Sequence, residues 1–334
     1  MERTLIATDV DFEQDGKQVS VLRLPCSSNL SGYGIIPLPI AVLKNGVGPT
    51  VLLIGGNHGD EYEGPVTLGK LIRDLDPKKI QGRLIILPAA NFPAAISGLR
   101  NSPVDGLNLN RSFPGNPDGS ATQQIAHYVA KILMPMADAM IDLHSGGLSL
   151  DFVFCANIYR LDPGPLRDKT LALARAFATP LTVMFDDRGE ERTILATAKR
   201  LGIPAMTTEL GGGATLSVSG LKLCMEAVCR ALASLGVLPK EAATPAKNET
   251  RFVEITNQST YVYAPCDGLF ESFDEMGTNV RAGAHAGSIH FLENPGRSPV
   301  DIIYGATGLL FMKRPPAKVA AGDCLLMVVT DCHV

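Results

Sequence analysis

Apolar and polar positions along this chain fall into three successive patterns. Residues 17–43 alternate between apolar and polar and include Pro37 and Pro39, which is typical of short strands and turns. From residue 50 onward, short apolar runs alternate with stretches whose apolar residues recur at helical spacing. Strands are predicted at residues 51–54, 84–87, 139–143 and 203–209, and helices at 61–75, from 120 through 136, and at 165–178, 190–201 and 217–235. This order predicts an α/β fold with a mostly parallel sheet and helices on both faces.

The third pattern begins after residue 250, where helical spacing gives way to short apolar segments and glycine turns. Residues 238–250 contain two prolines, and we interpret them as a linker between a domain at 1–240 and a small all-β domain at 250–334, here called the β tail. Within the β tail, Gly268-Leu269-Phe270 is echoed by Gly308-Leu309-Leu310, which resembles the two halves of a biotinyl/lipoyl-like barrel-sandwich domain. Such carriers need a lysine between the halves, and residues 293–298 contain none. We therefore expect a barrel-sandwich-like fold with a lid or structural role.

Composition excludes several classes of protein. The 334 residues carry a net charge of −4 and no basic cluster, which argues against nucleic acid or an anionic membrane as a partner. No apolar run approaches the roughly 18 residues of a membrane span, and the first residues, Met1-Glu2-Arg3-Thr4, do not resemble a secretory signal. The seven cysteines include no Cys-x-x-Cys pair, so we expect reduced thiols in a cytoplasmic protein. Whether the chain forms a homo-oligomer stays open.

Two polar motifs directly follow predicted buried strands. His58 and Glu61 stand in Gly-Gly-Asn-His-Gly-Asp-Glu (55–61), and His144 stands in Asp-Leu-His-Ser-Gly-Gly (142–147). Two imidazoles and one carboxylate form a ligand set for a catalytic zinc ion, with a fourth position for water. Two loop histidines and a solvated glutamate are the plainer alternative, but the pairing of two such motifs favours the metal site.

Further polar residues lie beyond the ends of other predicted strands. Asn110 and Arg111 lie in the loop after the strand at 84–87, and Glu209 ends the strand at 203–209. Open α/β sheets place their sites at this edge, so we expect these residues near the zinc ligands. The alternatives are a turn with a surface ion pair for Asn110 and Arg111, and a contact with the backbone amides of residues 211–213 for Glu209.

Together these motifs resemble the zinc carboxypeptidase-like superfamily and, within it, the succinylglutamate desuccinylase/aspartoacylase family. The resemblance covers about residues 45–235 and extends to the β tail, which that family carries and true carboxypeptidases lack. The phrases at 55–64, 108–115 (Asn-Leu-Asn-Arg-Ser-Phe-Pro-Gly) and 209–213 (Glu-Leu-Gly-Gly-Gly) look most like those of N-α-acetyl-diaminobutyrate deacetylases of ectoine breakdown. The resemblance implies a zinc-carboxypeptidase-like fold.

The resemblance also implies a role for each matching residue. The zinc ligands, one ion per chain, would be His58, Glu61 and His144. Glu209 matches the catalytic glutamate, and Asn110 with Arg111 matches the pair that binds a substrate carboxylate. Arg100 matches the arginine that stabilises the oxyanion, with a plain loop charge as the alternative. Arg192, at the start of a helix next to the site, is expected to help select the acyl or side-chain end of the substrate.

Neighbouring polar residues receive more ordinary interpretations. Asp142 lies on the same face of its strand as His144, and it either orients that histidine or is a plain strand-end carboxylate. We expect His127 to face solvent, because it lies about 200° from Ile125 around its helix. Caps and solvated loop charges, rather than a second metal site, are expected for Asp60, Glu63, Asp186 and Asp187.

Three functions are compatible with these features. The first is a zinc-dependent amidohydrolase that removes a short acyl group, with acetyl expected, from an N-acylated amino acid such as N-acetyl-diaminobutyrate. The second is a zinc carboxypeptidase that trims peptides, and the third is a ligand-binding protein without catalysis. A β tail that covers the cleft favours the first over the second. The combination of a ligand set with Glu209 argues against the third.

Overall fold

The computed structural model describes residues 3–29, 31–186 and 189–334 as an α/β fold built on one long sheet. In chain order the strands are β1 (Gly16–Pro25), β2 (Ile35–Asn45), β3 (Thr50–Gly55), β4 (Gly82–Leu87), β5 (Ala139–Leu143), β6 (Asp151–Phe152), β7 (Cys155–Tyr159), β8 (Leu181–Phe185), β9 (Ala205–Glu209), β10 (Arg251–Glu254), β11 (Tyr261–Tyr263), β12 (Gly268–Ser272), β13 (Asn279–Val280), β14 (His285–His290), β15 (Val300–Ile303), β16 (Gly308–Lys313), β17 (Lys318–Val319) and β18 (Cys324–Asp331). The α-helices are α1 (Glu63–Asp74), α2 (Phe92–Ser97), α3 (Ala121–Tyr128), α4 (Pro165–Phe177), α5 (Ile194–Leu201) and α6 (Val218–Ser234).

The long sheet is mixed, with the order β1-β2-β4-β3-β5-β9-β7-β8-β10-β18-β16-β13. Its centre, β4-β3-β5-β9, is parallel, as the sequence predicts. The flanks differ, because β1 and β2 pair antiparallel and β7 runs antiparallel to β9. The prediction of a mostly parallel sheet therefore describes the centre, and the sheet as a whole mixes both directions.

Helices cover both faces of the sheet. Val51 and Leu53 of β3 enter the core beneath α1, α4 and α6, whereas Leu52 and Ile54 enter the core beneath α3 and α5. Successive side chains of a strand point to opposite faces, so a strand covered on both sides is apolar throughout. This burial explains the uninterrupted apolar run at 51–54.

Most predicted elements form at or near their expected positions, but several differ in length or type. The helix predicted from 120 through 136 is α-helical only as far as Tyr128, and it continues as a π-helical turn (Val129–Leu133) and a 3₁₀ turn (Met134–Met136). Residues 17–43, predicted as short strands and turns, form the two longer strands β1 and β2, of 10 and 11 residues. The helix predicted at 190–201 begins later, because the Thr193 side chain caps α5 by accepting the Ala196 N–H. The strands β7 and β8 and the short helix α2 are not predicted from the sequence. β7 begins with Cys155-Ala156-Asn157, residues with little strand preference, so its local pattern carries a weak signal.

The β tail consists of short strands, as predicted, and its two repeats exchange partners. β12 of the first repeat pairs with β17 of the second, and β16 of the second pairs with β13 of the first. Phe270 and Leu310, one from each repeat, lie in a shared core. Each half therefore completes the other, while the barrel-sandwich architecture stays a prediction.

Two strand pairs link the β tail to the rest of the molecule, β10 with β8 and β16 with β6. β10 extends the long sheet by pairing parallel to β8, and β18 pairs with β10. β6, which follows the loop after β5, pairs with β16 of the tail. The long sheet continues across the linker, so the two parts of the chain share one sheet. That residues 1–240 and 250–334 are separate domains stays a prediction.

His127 is buried, so the prediction of a solvent-facing side chain is wrong. Its Nε2 lies 3.0 Å from the backbone oxygen of Arg3, because the amino-terminal segment covers that side of α3. The seven cysteines all lie within the described ranges, and none forms a disulfide there. Within the described ranges, no helix combines the length and the apolar character that crossing a bilayer requires.

Candidate active site

Three side chains converge at the carboxyl ends of β3 and β5. His58, Glu61 and His144 each offer one ligand atom, and these atoms all lie within 4.8 Å of one another. His58 Nδ1 lies 2.7 Å from Glu61 Oε1, and His144 Nδ1 lies 2.8 Å from Glu61 Oε2. All three side chains are buried. Among the residues that the structure describes, they are the one group of this kind close enough to share a metal ion.

The backbone brings the two motifs together. β3 and β5 are parallel neighbours with Gly55 opposite Leu143, so the chain leaves both strands at the same edge. Gly64, in the first turn of α1, lies against the end of β5, and a Cβ there would be 2.6 Å from the Leu143 carbonyl oxygen. Glycine alone permits this approach, which places Glu61 beside His144.

Other side chains hold the outer nitrogens of both histidines. His144 Nε2 lies 2.8 Å from Asp142 Oδ2, and His58 Nε2 lies 3.2 Å from Asn108 Oδ1. Asn57 donates to the same Asp142 oxygen at 2.9 Å. A ring whose Nε2–H donates to a fixed oxygen keeps the lone pair on Nδ1, the atom that faces the centre of the cluster. In donor type, burial and orientation, the cluster therefore fits a zinc ion.

The ionisation of the cluster depends on its own members. Burial alone would raise the pKa of Glu61, but the charges of His58 and His144 and their hydrogen bonds outweigh it and hold that pKa well below its usual range. Burial alone would lower the pKa of His144, but Asp142 and Glu61 hold it well above its usual range. The carboxylates of Glu61 and Asp142 thus favour positive charge at the centre of the cluster. Protonated imidazoles supply that charge without a metal ion, and a bound cation would supply it with neutral imidazoles as ligands.

Glu209 lies beside this cluster at the end of β9, the strand next to β5. Thr208 holds the two strand ends together, since its Oγ1 accepts the His144 N–H and donates to the His144 carbonyl, both at 3.0 Å. Burial raises the pKa of Glu209 to about 8, with the Glu61 charge adding to the rise and His144 and Arg100 opposing it. Its Oε2 is buried and has no hydrogen-bond partner among the residues that the structure describes. The structure thus brings this carboxyl close to the predicted ligands.

Arg100 lies at the exposed side of the cluster. Its Nη1 donates to Glu61 Oε1 at 3.5 Å, and 41% of its side chain is exposed. A guanidinium that is next to Glu61, a predicted metal ligand, and open to solvent is well placed to contact a substrate. The placement agrees with the predicted oxyanion role, which stays a prediction.

The other predicted substrate contacts form a group of their own. Asn110 Oδ1 accepts the Ile194 N–H at 3.0 Å, so its amide helps to begin α5. Arg111 donates to the Asn110 carbonyl at 2.8 Å and lies 3.9 Å from Glu190. Arg192 is 66% exposed and pairs with the same Glu190 at 2.7 Å. Glu190, which the sequence did not single out, therefore joins the two arginines.

Residues 47–235 match the family model of the succinylglutamate desuccinylase/aspartoacylase catalytic domain. The N-α-acetyl-L-2,4-diaminobutyric acid deacetylase of Halomonas elongata is 38% identical over 323 residues, which cover 97% of this chain and 94% of that protein. The chain belongs to the succinylglutamate desuccinylase/aspartoacylase family. The resemblance predicted from its motifs is confirmed.

Solved structures of this family match the chain along nearly its whole length. A succinylglutamate desuccinylase/aspartoacylase from Rhodobacter sphaeroides superposes with a TM-score of 0.93 at 40% identity, over 98% of this chain and 100% of that one. The product-bound ectoine utilization protein EutE from Ruegeria pomeroyi superposes with a TM-score of 0.94 at 35% identity, over 98% and 100%. Both matches include the β tail, so the tail is part of the fold that these relatives share.

Two acidic residues close to Glu61 in the sequence are buried and not exposed as predicted. Asp60 and Glu63 are buried, so the prediction of solvated charges is wrong for them. Asp186 is a loop charge, as predicted, and lies 3.3 Å from Arg160. Asp187 lies outside the described residues. Neither buried carboxylate has a signal in the sequence beyond its position next to Glu61, because the groups that surround it come from distant segments.

Proposed function

We propose that the chain is a zinc-dependent amidohydrolase that removes a short acyl group, with acetyl expected, from the nitrogen of a small amino acid. The observation that carries the proposal is the convergence of His58, Glu61 and His144 with Glu209 beside them. The 38% identity to an N-α-acetyl-L-2,4-diaminobutyric acid deacetylase supports N-acetyl-diaminobutyrate as the candidate substrate.

Glu209 performs the proton transfers in this proposal. A zinc ion held by His58, Glu61 and His144 would polarise the amide carbonyl and lower the pKa of a bound water from about 15.7 to about 7. Glu209 Oε2, which has no hydrogen-bond partner in the described part of the chain, can take a proton from the attacking water and give it to the leaving amine. Positive charge at the ligand set lowers the pKa of Glu209, and so favours the ionised form that a general base needs.

Arg100 stabilises the negative charge that develops on the carbonyl oxygen. Its guanidinium is half-exposed and adjacent to Glu61, so it can turn from that carboxylate toward a bound substrate. Loss of one such donor typically costs about 3 kcal/mol of transition-state stabilisation.

Asn110 and Arg111 bind the α-carboxylate and so set the scissile amide at the metal site. The planar fork of Arg111 can form two parallel hydrogen bonds to a carboxylate, which a lysine cannot reproduce. Arg111 already lies 3.9 Å from the carboxylate of Glu190, so binding substrate exchanges one carboxylate for another. Arg192, which pairs with the same carboxylate of Glu190, helps to select the acyl or side-chain end.

A panel of N-acetyl, N-succinyl and N-formyl amino acids, assayed for release of free amine, tests this function. We expect the N-acetyl compounds to be the best substrates, with N-acetyl-diaminobutyrate among them. Removal of metal with a chelator should abolish release, and added zinc should restore it. Absence of hydrolysis across the panel by zinc-loaded protein would contradict the proposal.

A zinc carboxypeptidase acting on peptides is the second candidate. The β tail lies against the loops that border the site, since β6 pairs with β16 and a Cβ at Gly213 would lie 3.6 Å from Pro315. A tail that narrows the entrance to the site would exclude long peptides, and these contacts support a preference for small substrates. Hydrolysis of a decapeptide at the rate of an acetylated amino acid would favour the carboxypeptidase instead.

A further inference from the structure

Asp60, the residue before Glu61, is buried and binds the loop that follows His144. Its Oδ2 accepts the Leu148 backbone N–H at 2.8 Å, and 5% of the residue is exposed. Gly147 packs directly on this carboxylate with φ at +57°, and a Cβ there would lie 2.4 Å from Asp60 Oδ2. The carboxylate and the loop therefore fit each other with no room for a larger residue at position 147.

Glu63, two residues after Glu61, makes an equivalent contact with a second loop. Its Oε1 accepts the Ser217 backbone N–H at 2.9 Å, and the residue is fully buried. Ser217 ends the glycine-rich loop that follows Glu209, and it caps α6. Glu63 thus ties the start of α1 to the start of α6.

These two loops, residues 144–150 and 209–217, are joined to each other, and we call them the paired loops. The Gly146 N–H donates to the Gly211 carbonyl and the Ala214 N–H to the Gly147 carbonyl, each at 2.8 Å. The Gly213 N–H donates to the Leu150 carbonyl at 3.1 Å. The paired loops begin with His144 and Glu209, so whatever holds them also places both of these side chains.

We propose that Asp60 and Glu63 are positioning residues, which hold the paired loops from either side of Glu61 and thereby set the arrangement of the three metal ligands and Glu209. The inference rests on the proposed metal site. Groups that orient metal ligands typically affect metal affinity or activity by about 10- to 100-fold when they are changed.

Stability alone does not account for the two carboxylates. Within residues 3–29, 31–186 and 189–334, neither Asp60 Oδ1 nor Glu63 Oε2 has a hydrogen-bond partner, although both atoms are buried. A buried polar group that lacks a partner is unfavourable, and a buried charge more so. Apolar residues at both positions would avoid this cost, but they could not accept the N–H groups of Leu148 and Ser217.

The test compares Asp60→Ala and Glu63→Ala with their conservative counterparts, Asp60→Asn and Glu63→Gln, whose amide oxygens can still accept the backbone N–H. Asp138→Ala is the matched control. Asp138 Oδ2 also accepts a backbone N–H, that of Thr50 at 2.8 Å, but at the opposite ends of β3 and β5. For each variant, zinc affinity is measured by competition with a chelator, and kcat, KM and Tm are measured on zinc-loaded protein.

We expect Asp60→Ala to weaken zinc binding by about tenfold or more, because it releases the loop that carries His144. Glu63→Ala should lower kcat by about tenfold or more at saturating zinc, with KM little changed, because it releases the loop that follows Glu209. The Asn and Gln variants should recover most of each loss. Asp138→Ala should lower Tm without changing zinc affinity or kcat.

Gly147→Ala probes the same contact from the loop side and keeps the test valid if Asp60→Ala does not fold. The added methyl group would crowd Asp60, so zinc affinity should fall. In the double variant Asp60→Ala/Gly147→Ala that crowding is relieved, so the combined loss should be smaller than the product of the single losses.

Two results separate failure of this inference from failure of the proposed function. Zinc affinity and kcat within about twofold of wild type in both Asp60→Ala and Glu63→Ala, or in Gly147→Ala, would overturn the positioning role, whatever the change in Tm. A wild-type protein that binds no zinc would instead overturn the metal site on which the inference depends.

Discussion

The α/β part and the β tail bury different kinds of side chain. Around β3 and β5 the buried polar residues include many ionisable groups and an amide, namely Asn57, His58, Asp60, Glu61, Glu63, Asp142 and His144. In residues 250–334, which the structure describes without a gap, the buried polar residues are Thr250, Thr260 and Ser288, and none is acidic or basic. Burying charge is costly unless it is paired. The α/β part therefore buries ionisable side chains at a cost in stability, and these side chains surround the candidate active site. The β tail buries mainly apolar side chains.

This contrast separates two kinds of response to substitution. Changes among the buried charges should alter metal content and turnover more than stability. Changes in the core of the β tail should alter stability and leave turnover nearly unchanged.

Substitution of a metal ligand should have the largest effect. His144→Ala removes one of three protein ligands, so we expect loss of tightly bound zinc and of measurable activity. Elemental analysis of the purified variant, with wild type as reference and circular dichroism as a check on folding, measures this. Full zinc occupancy in His144→Ala would show that the ligand set is wrong.

Glu209→Gln should keep the zinc and the fold but lower kcat by about 100-fold or more, because the amide cannot act as a general base. Steady-state kinetics at equal zinc content checks this. A kcat like that of wild type would mean that another group moves the proton.

Arg111→Lys should lower kcat/KM by about tenfold or more, which corresponds to about 1.4 kcal/mol. The lysine keeps the charge but loses the fork that pairs with an α-carboxylate. A substrate methyl ester should be poor with wild type and little worse with the variant, since the contact is already lost. If the effects of ester and mutation simply multiply, Arg111 does not hold that carboxylate.

Leu310→Ala tests the other side of the contrast. Leu310 is fully buried in the core shared by the two repeats, so its truncation should lower the free energy of unfolding by about 2–5 kcal/mol. Denaturant unfolding measures the loss, while kcat of the folded variant should stay within about twofold of wild type. A drop in kcat comparable to that of Glu209→Gln would give the β tail a part in catalysis.

The centre of the sheet and the ligand set could be predicted because both depend on local patterns. The apolar run at 51–54 reports burial on both faces, and the glycines around His58 and His144 mark the turns that follow. Because parallel strands end at the same edge, the two motifs had to meet once the strands were placed side by side.

What the sequence did not predict depends on partners from distant segments. Asp60 and Glu63 are buried where they accept hydrogen bonds from the backbone N–H groups of Leu148 and Ser217. Every residue except proline carries a backbone N–H, so the sequence does not reveal which of them a carboxylate binds. His127 is buried because an amino-terminal segment lies across its helix, which helical spacing cannot show.

The last strand of the tail has a consequence for how the protein is made. β18 follows all of its partners in the chain, and it pairs with β10, β11 and β16. Synthesis proceeds from the amino terminus, so these partners leave the ribosome before the strand that covers their edges exists. Unpaired strand edges readily recruit other chains. The centre of the sheet, β4-β3-β5-β9, is complete much earlier, whereas the edges of β10, β11 and β16 that pair with β18 stay unpaired until β18 emerges.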